Sequence, residues 1–113
     1  MTSRAVTTAA SPDDITVARA TLSTARAVPG VVGISRGRYA IARTFGPGGT
    51  AVEGVQLTHT GAGLLVEVHV VVAPVPLLPL GQQVRMAVAA TLMGLGATVA
   101  AVDVWIDTLE MTA

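Results

Sequence analysis

The sequence has no cysteine and no lysine, and charged residues make up only 12% of its 113 positions. Without cysteine there is no disulfide framework, no zinc finger and no thiol nucleophile. The redox compartment stays open, because an absent thiol suits any of them. Without lysine, all positive charge rests on seven Lys+Arg positions that are arginine throughout, balanced by seven acids. Such a neutral chain lacks the broad basic footprint of a general nucleic-acid binder. Aromatic residues are scarce too, at 3%. What is abundant is aliphatic: AVILMFWYC reach 51%, which excludes a disordered, charged tail. A chain of this length buries roughly two-thirds of its unfolded surface, and the apolar content exceeds what one such core needs. Low charge also weakens the usual protection against self-association, so an oligomer or a bound partner is expected.

Residues 1–10 hold one arginine and no apolar run, unlike a secretory signal, and read as a flexible tail in which residues 5–8 can add a short edge strand. Residues 86–102 carry no charge, but Thr91, Gly94, Gly96 and Thr98 dilute them and the stretch falls short of the roughly 20 residues of a membrane span. The expectation is a helix, a glycine turn and a strand.

The first helix is signalled by Ser11-Pro12-Asp13-Asp14, with Ser11 as cap, Pro12 at the first helical position and two acids at the positive end of the dipole. Ile15, Ala18, Leu22 and Ala25 form its apolar stripe, and Pro29-Gly30 ends it. Val31-Val32-Gly33-Ile34 reads as a strand, residues 36–43 as either its extension or a basic loop, and residues 45–50 as a loop. Residues 52–59 and 64–73 flank Thr60-Gly61-Ala62-Gly63 as a β-hairpin. A symmetric turn pairs Val55 with Val68, Leu57 with Val66 and His59 with Leu64. That puts Val55, Leu57, Leu64, Val66, Val68 and Val70 on one face and Gln56, Thr58, Glu67 and His69 on the other. Pro74, Pro76 and Pro79 forbid a central strand and predict an extended linker. A second helix follows over residues 82–95, with Val84, Val88, Leu92 and Leu95 as its stripe. It is apolar nearly all round, and Arg85 is its one charge. Val102, Val104 and Ile106 alternate with Asp103, Trp105 and Asp107 in a last strand. The order predicts an α+β two-layer sandwich, with a mostly antiparallel sheet of three to four strands and both helices on one face, in a single domain over residues 11–110.

Several pieces together resemble the alkaline shock protein family of bacterial envelope stress response proteins (Gls-type general stress proteins). They are the helix running into Val28-Pro29-Gly30-Val31, the Gly54-Val55 strand before a glycine turn, and the valine-rich strand of residues 65–72. A helix ending at Met93-Gly94-Leu95 and the alternating Val102-Asp103-Val104-Trp105-Ile106 complete the set. The resemblance covers residues 15–109. It implies a non-enzymatic, self-associating cytoplasmic protein, held in some members at the inner face of the membrane by a membrane-anchored partner of the same family. It brings no catalytic motif and no cofactor. The all-arginine, Ala/Gly/Val-rich usage suggests a high-GC genome such as an actinobacterial one.

For metal, the two histidines fall on opposite faces of the hairpin and cannot share an ion. Glu67 and His69 share a face and read as solvated. Asp103 and Asp107, roughly 13 Å apart along a strand, do not form a coupled acid–base pair. Residues 45–50 are glycine-rich but lack the Gly-Lys-Ser/Thr ending that grips phosphate. No catalytic, metal or cofactor residue is assigned. Arg36, Arg38, Tyr39 and Arg43 form the basic cluster, able to meet an anion or, as the alternative function, RNA or DNA; a solvated loop is the plainer reading. Leu77, Leu78, Leu80, Met86 and Met93 exceed what two helices and a sheet cover, and Trp105 points away from the core. These six are the expected interaction surface.

Overall fold

The structure, a computed structural model, describes residues 12–36 and 42–109. Helix α1 spans Asp14–Ala27, and its cap is Asp13, whose Oδ1 accepts from the Thr16 backbone N–H at 2.8 Å. The helix therefore starts two residues later than the Ser11-Pro12 signal implies. Asp13 wins because it stands three residues ahead of a free amide at the third helical position. Ser11 lies outside the described residues, as does the rest of the tail over residues 1–10. The bond from Thr16 holds the Asp13 carboxyl below the usual carboxylate range. Ile15, Ala18 and Ala25 are buried as the stripe predicts, joined by Val17 and Thr21. Thr21 can be buried because its hydroxyl donates to the Val17 carbonyl at 2.8 Å.

Strand β1 is Val31–Ile34, and β2 (Arg43–Phe45) and β3 (Ala51–Glu53) form a small antiparallel ribbon around the turn Pro47–Gly49. Strands β4 (Val55–Thr60) and β5 (Gly63–Val72) form the expected hairpin, and Val55 pairs Val68, Leu57 pairs Val66 and His59 pairs Leu64. The predicted first arm is thus broken at Gly54, and part of the expected loop over residues 45–50 is strand. Gly54 has φ 92°, and a Cβ there would collide with Ile34 Cγ2 and lie 3.0 Å from the Ser35 carbonyl oxygen. It marks a handover. The His69 N–H donates to the Gly54 carbonyl, and the His69 carbonyl accepts from Ser35 N–H, so β5 passes from β4 to β1 along the same edge.

Strand β6 (Val99–Leu109) pairs the other edge of β5 in parallel, connected to it through helix α2 (Leu77–Gly94). The sheet is otherwise antiparallel, and both helices pack on one face. Val66, Val68, Val70 and Val72 of β5 meet Val17 and Ala18 of α1 and Val84, Val88 and Leu92 of α2 in one core cluster. Thr24 and Thr91 join the helices, hydroxyl to hydroxyl, at 3.1 Å. The chain is an α+β two-layer sandwich.

Candidate interaction surface

Helix α2 starts five residues earlier than expected and absorbs half of the proline linker. Pro79 stands at its third position, where a helix needs no N–H from its own backbone, so the ring is tolerated there. The first turn accordingly consists of Leu77, Leu78, Pro79 and Leu80. Helical geometry separates these leucines. Leu80 falls in line with Val84, Val88 and Leu92 and is 4% exposed, packed over Gly30, where an added Cβ would stand 3.3 Å from Leu80 Cδ1. Leu80 therefore leaves the expected interaction set and joins the core. Leu95 goes the other way: placed on the buried stripe by its spacing, it lies past the end of α2 and is exposed.

Leu77 and Leu78 face a groove of about 510 Å³ between α2 and β6. Its far wall is residues 102–106, and Gly81, Gln82 and Arg85 continue the helical wall. Leu78 is 81% exposed and Trp105 51%. Met86 and Met93, at 71% and 66%, lie further along the open side of α2, two turns apart. Five of the six expected interaction residues are therefore exposed on α2 and β6, and three of them line one groove. Its lining is mainly leucine, valine, isoleucine and tryptophan, with Arg85 and Asp103 as its charged members.

Trp105 packs on the neighbouring strand, stacked on His69 with ring centroids 5.8 Å apart and planes at 11°, while half its surface stays open. His69 is buried, not solvated as the alternation suggests, and its register partner Trp105 accounts for that. His59 lies on the opposite face, as expected, and reaches both carboxylate oxygens of Asp14 at 3.1 Å. That contact ties the start of α1 to the end of β4. No spacing in the sequence announces it, because it depends on how α1 lies across the sheet. Glu67 and Asp103 are register neighbours on β5 and β6. Among the described residues, no three of His, Asp and Glu come together as a metal-holding group.

The basic cluster is divided. Arg36 reaches Glu53 at 3.7 Å, and Glu53 is also the register partner of Arg43 across the ribbon. One carboxylate thus stands between two of the four residues, and Arg38 and Tyr39 lie outside the described residues. Phe45 on the ribbon and Val32 on β1 are exposed, and neither is marked by the sequence pattern. Among the described residues, no helix is long and apolar enough to cross a membrane.

Solved structures with this two-layer arrangement include several variants of the MamM CTD. A zinc form is 16% identical, with a TM-score of 0.51 over 86% of this chain and 87% of that one. A copper form and a further variant are each 17% identical, with a TM-score of 0.51 over 87% of this chain and 100% of theirs. At these identities the likeness is one of fold. No family model matches the chain, and no curated protein matches it.

Proposed function

We propose that this chain is a non-catalytic module that assembles with copies of itself through the surface formed by α2 and β6. The observation that carries this reading is the groove itself. Leu77, Leu78 and Trp105 stand exposed around one opening, and Met86 and Met93 are exposed further along the same helix. Isolated exposed apolar residues are ordinary, but large side chains grouped on neighbouring elements mark a contact surface. The groove presents packing surface and few groups that can exchange a proton. In the cellular setting implied by the sequence resemblance, the module serves envelope stress response. It is held at the inner face of the membrane by a membrane-anchored partner of the alkaline shock type.

The test is light scattering coupled to gel filtration on the native chain and on Leu78→Glu/Met86→Glu. The native chain runs as an oligomer, and the double variant runs as a monomer with unchanged circular dichroism. A native chain that is monomeric across a dilution series, or a folded double variant that stays oligomeric, overturns the assignment of this surface.

A further inference from the structure

Strand β6 pairs β5 on one side and no other strand among the described residues. Its register with β5 breaks twice. Leu64 pairs Val99 whereas Leu65 pairs Ala101, and Val70 pairs Ile106 whereas Val71 pairs Thr108. Ala100 and Asp107 are therefore bulged residues. Between them residues 101–106 keep an unbroken register, with no proline and no glycine, and with Asp103 as the one charge. Proteins guard sheet edges with bulges, prolines and charges. Here the guards bracket a segment and leave its middle open.

We propose that residues 102–106 pair antiparallel with the same segment of a second copy of this chain, about a two-fold axis through Val104, joining two sheets into one. This rests on the self-association proposed above and specifies its geometry.

Symmetry supplies the first reason. Two identical edges paired antiparallel are related by a two-fold axis normal to the sheet, and such an axis keeps both helical layers on the same side. The two α2 helices then flank the seam, with Leu77, Leu78 and the groove they line against β6 on the side that gains a neighbour. One operation covers both the strand edge and the groove beside it. Parallel pairing of the same edges would turn the second helical layer to the opposite face and leave both grooves uncovered.

Charge fixes the register. Opposed residues in an antiparallel pair share a face and stand about 4.5–5.5 Å apart at Cβ, where like charges destabilise. An axis through Asp103 opposes the two Asp103 carboxylates. An axis through Trp105 sets Asp103 against the bulge at Asp107. An axis through Val102 runs Val104 into the bulge at Ala100. An axis through Val104 sets Val102 against Ile106 and Asp103 against Trp105, with no carboxylate facing another and five successive pairings before Ala101 meets the bulge at Asp107.

The chain has no cysteine, so each substitution introduces a single thiol. Val104→Cys, Asp103→Cys and Trp105→Cys are oxidised with diamide, and covalent dimer is followed on non-reducing gels. With the axis at Val104, Val104→Cys cross-links several-fold faster than the other two. Asp103→Cys or Trp105→Cys cross-linking as fast or faster overturns the register. A native chain that is dimeric by light scattering while none of the three cross-links overturns edge pairing and leaves the groove contact standing. A native chain that is monomeric throughout removes both. Amide exchange on the unsubstituted chain gives a second readout independent of how the variants fold. Protection of the outward amides of residues 102–106 rises with concentration, and protection that does not change between monomeric and dimeric concentrations overturns the proposal.

Discussion

Gly54 carries more of the architecture than its size suggests, and Gly54→Ala measures how much. Two costs combine at this position. Its φ of 92° belongs to a region that residues with a Cβ adopt at about 1–2 kcal/mol. The new methyl also meets Ile34 Cγ2 and, at 3.0 Å, the Ser35 carbonyl oxygen. Overpacking of that kind costs about 1–3 kcal/mol, and here the carbonyl belongs to the backbone that bonds His69 and cannot turn aside. Together the two predict a loss of about 2–5 kcal/mol. Gly48 provides the control, because its φ is also positive, at 68°, yet nothing lies within 4 Å of the position a Cβ would take. Gly48→Ala therefore bears the conformational cost alone, about 1 kcal/mol. For a chain of this size each kcal/mol moves Tm by roughly 4 °C, so Gly54→Ala lowers Tm by about 8–20 °C and Gly48→Ala by about 4 °C. Thermal melts followed by circular dichroism separate the two cases. Equal shifts for both variants would refute the handover of β5 between β4 and β1 at a crowded glycine.

Three further outcomes follow from the same structure. Leu80→Ala, at a 4%-exposed core position, costs about 2–5 kcal/mol in urea unfolding, whereas Leu78→Ala, at 81% exposure, changes the stability of the monomer by less than about 0.5 kcal/mol; equal costs would mean that the first turn of α2 is rotated from the one described. The Asp13 carboxyl is held low in the folded chain, so the unfolded chain binds its proton first and stability rises with pH through that range. The contribution is complete above the usual carboxylate range and is lost as pH falls through the lowered folded value; Asp13→Asn, which keeps the cap but cannot ionise, flattens the urea midpoint between about pH 5 and pH 1 relative to the native chain. Thr21→Val replaces a hydroxyl that donates within its own helix to Val17 with a methyl of similar shape in a buried site, and shifts stability by no more than about 1 kcal/mol; a loss of several kcal/mol in the same unfolding assay would show that Thr21 has a second partner.

The hairpin was legible because two independent signals agreed. The glycine turn set its symmetry, and the alternation of Val55, Leu57, Leu64, Val66 and Val68 allowed one register only. The stripe of α1 was legible for the same reason, one periodicity with one solution. The first turn of α2 was not. Three prolines argue correctly against a strand, but proline in a first turn is compatible with both linker and helix. Which one forms depends on Leu80 finding the space over Gly30. The parallel course of β6 was equally hidden, because alternation at Val102, Val104 and Ile106 fixes a face and says nothing of direction. The candidate surface followed from counting apolar side chains. Its division into Leu80 within and Leu78 without required the helix that the prolines obscured.

The strength of the proposed assembly can be bounded from its own residues. Full burial of a leucine, methionine or similar side chain is worth about 1.5–3 kcal/mol. Leu78, Met86, Met93 and Trp105 are between half and four-fifths exposed, so each has about 1–2 kcal/mol still to gain. Two copies covering all four gain about 8–16 kcal/mol before costs. Association costs about 4–15 kcal/mol in lost freedom, besides the ordering of the two flexible methionines. The two ranges overlap, so the apolar stripe alone does not guarantee a dimer. Backbone pairing along residues 102–106 changes that balance, because those strand-edge groups are already held rigid by β5 and lose little freedom on pairing. Met93 lies at the far end of α2 from the groove, so truncating it tests the stripe without touching the edge. If the edge dominates and Met93 stays outside the contact, Met93→Ala weakens the dimer by less than about tenfold, a cost within 1.4 kcal/mol, whereas Val104→Lys abolishes it. The reverse order in a sedimentation dilution series would assign the affinity to the helix stripe.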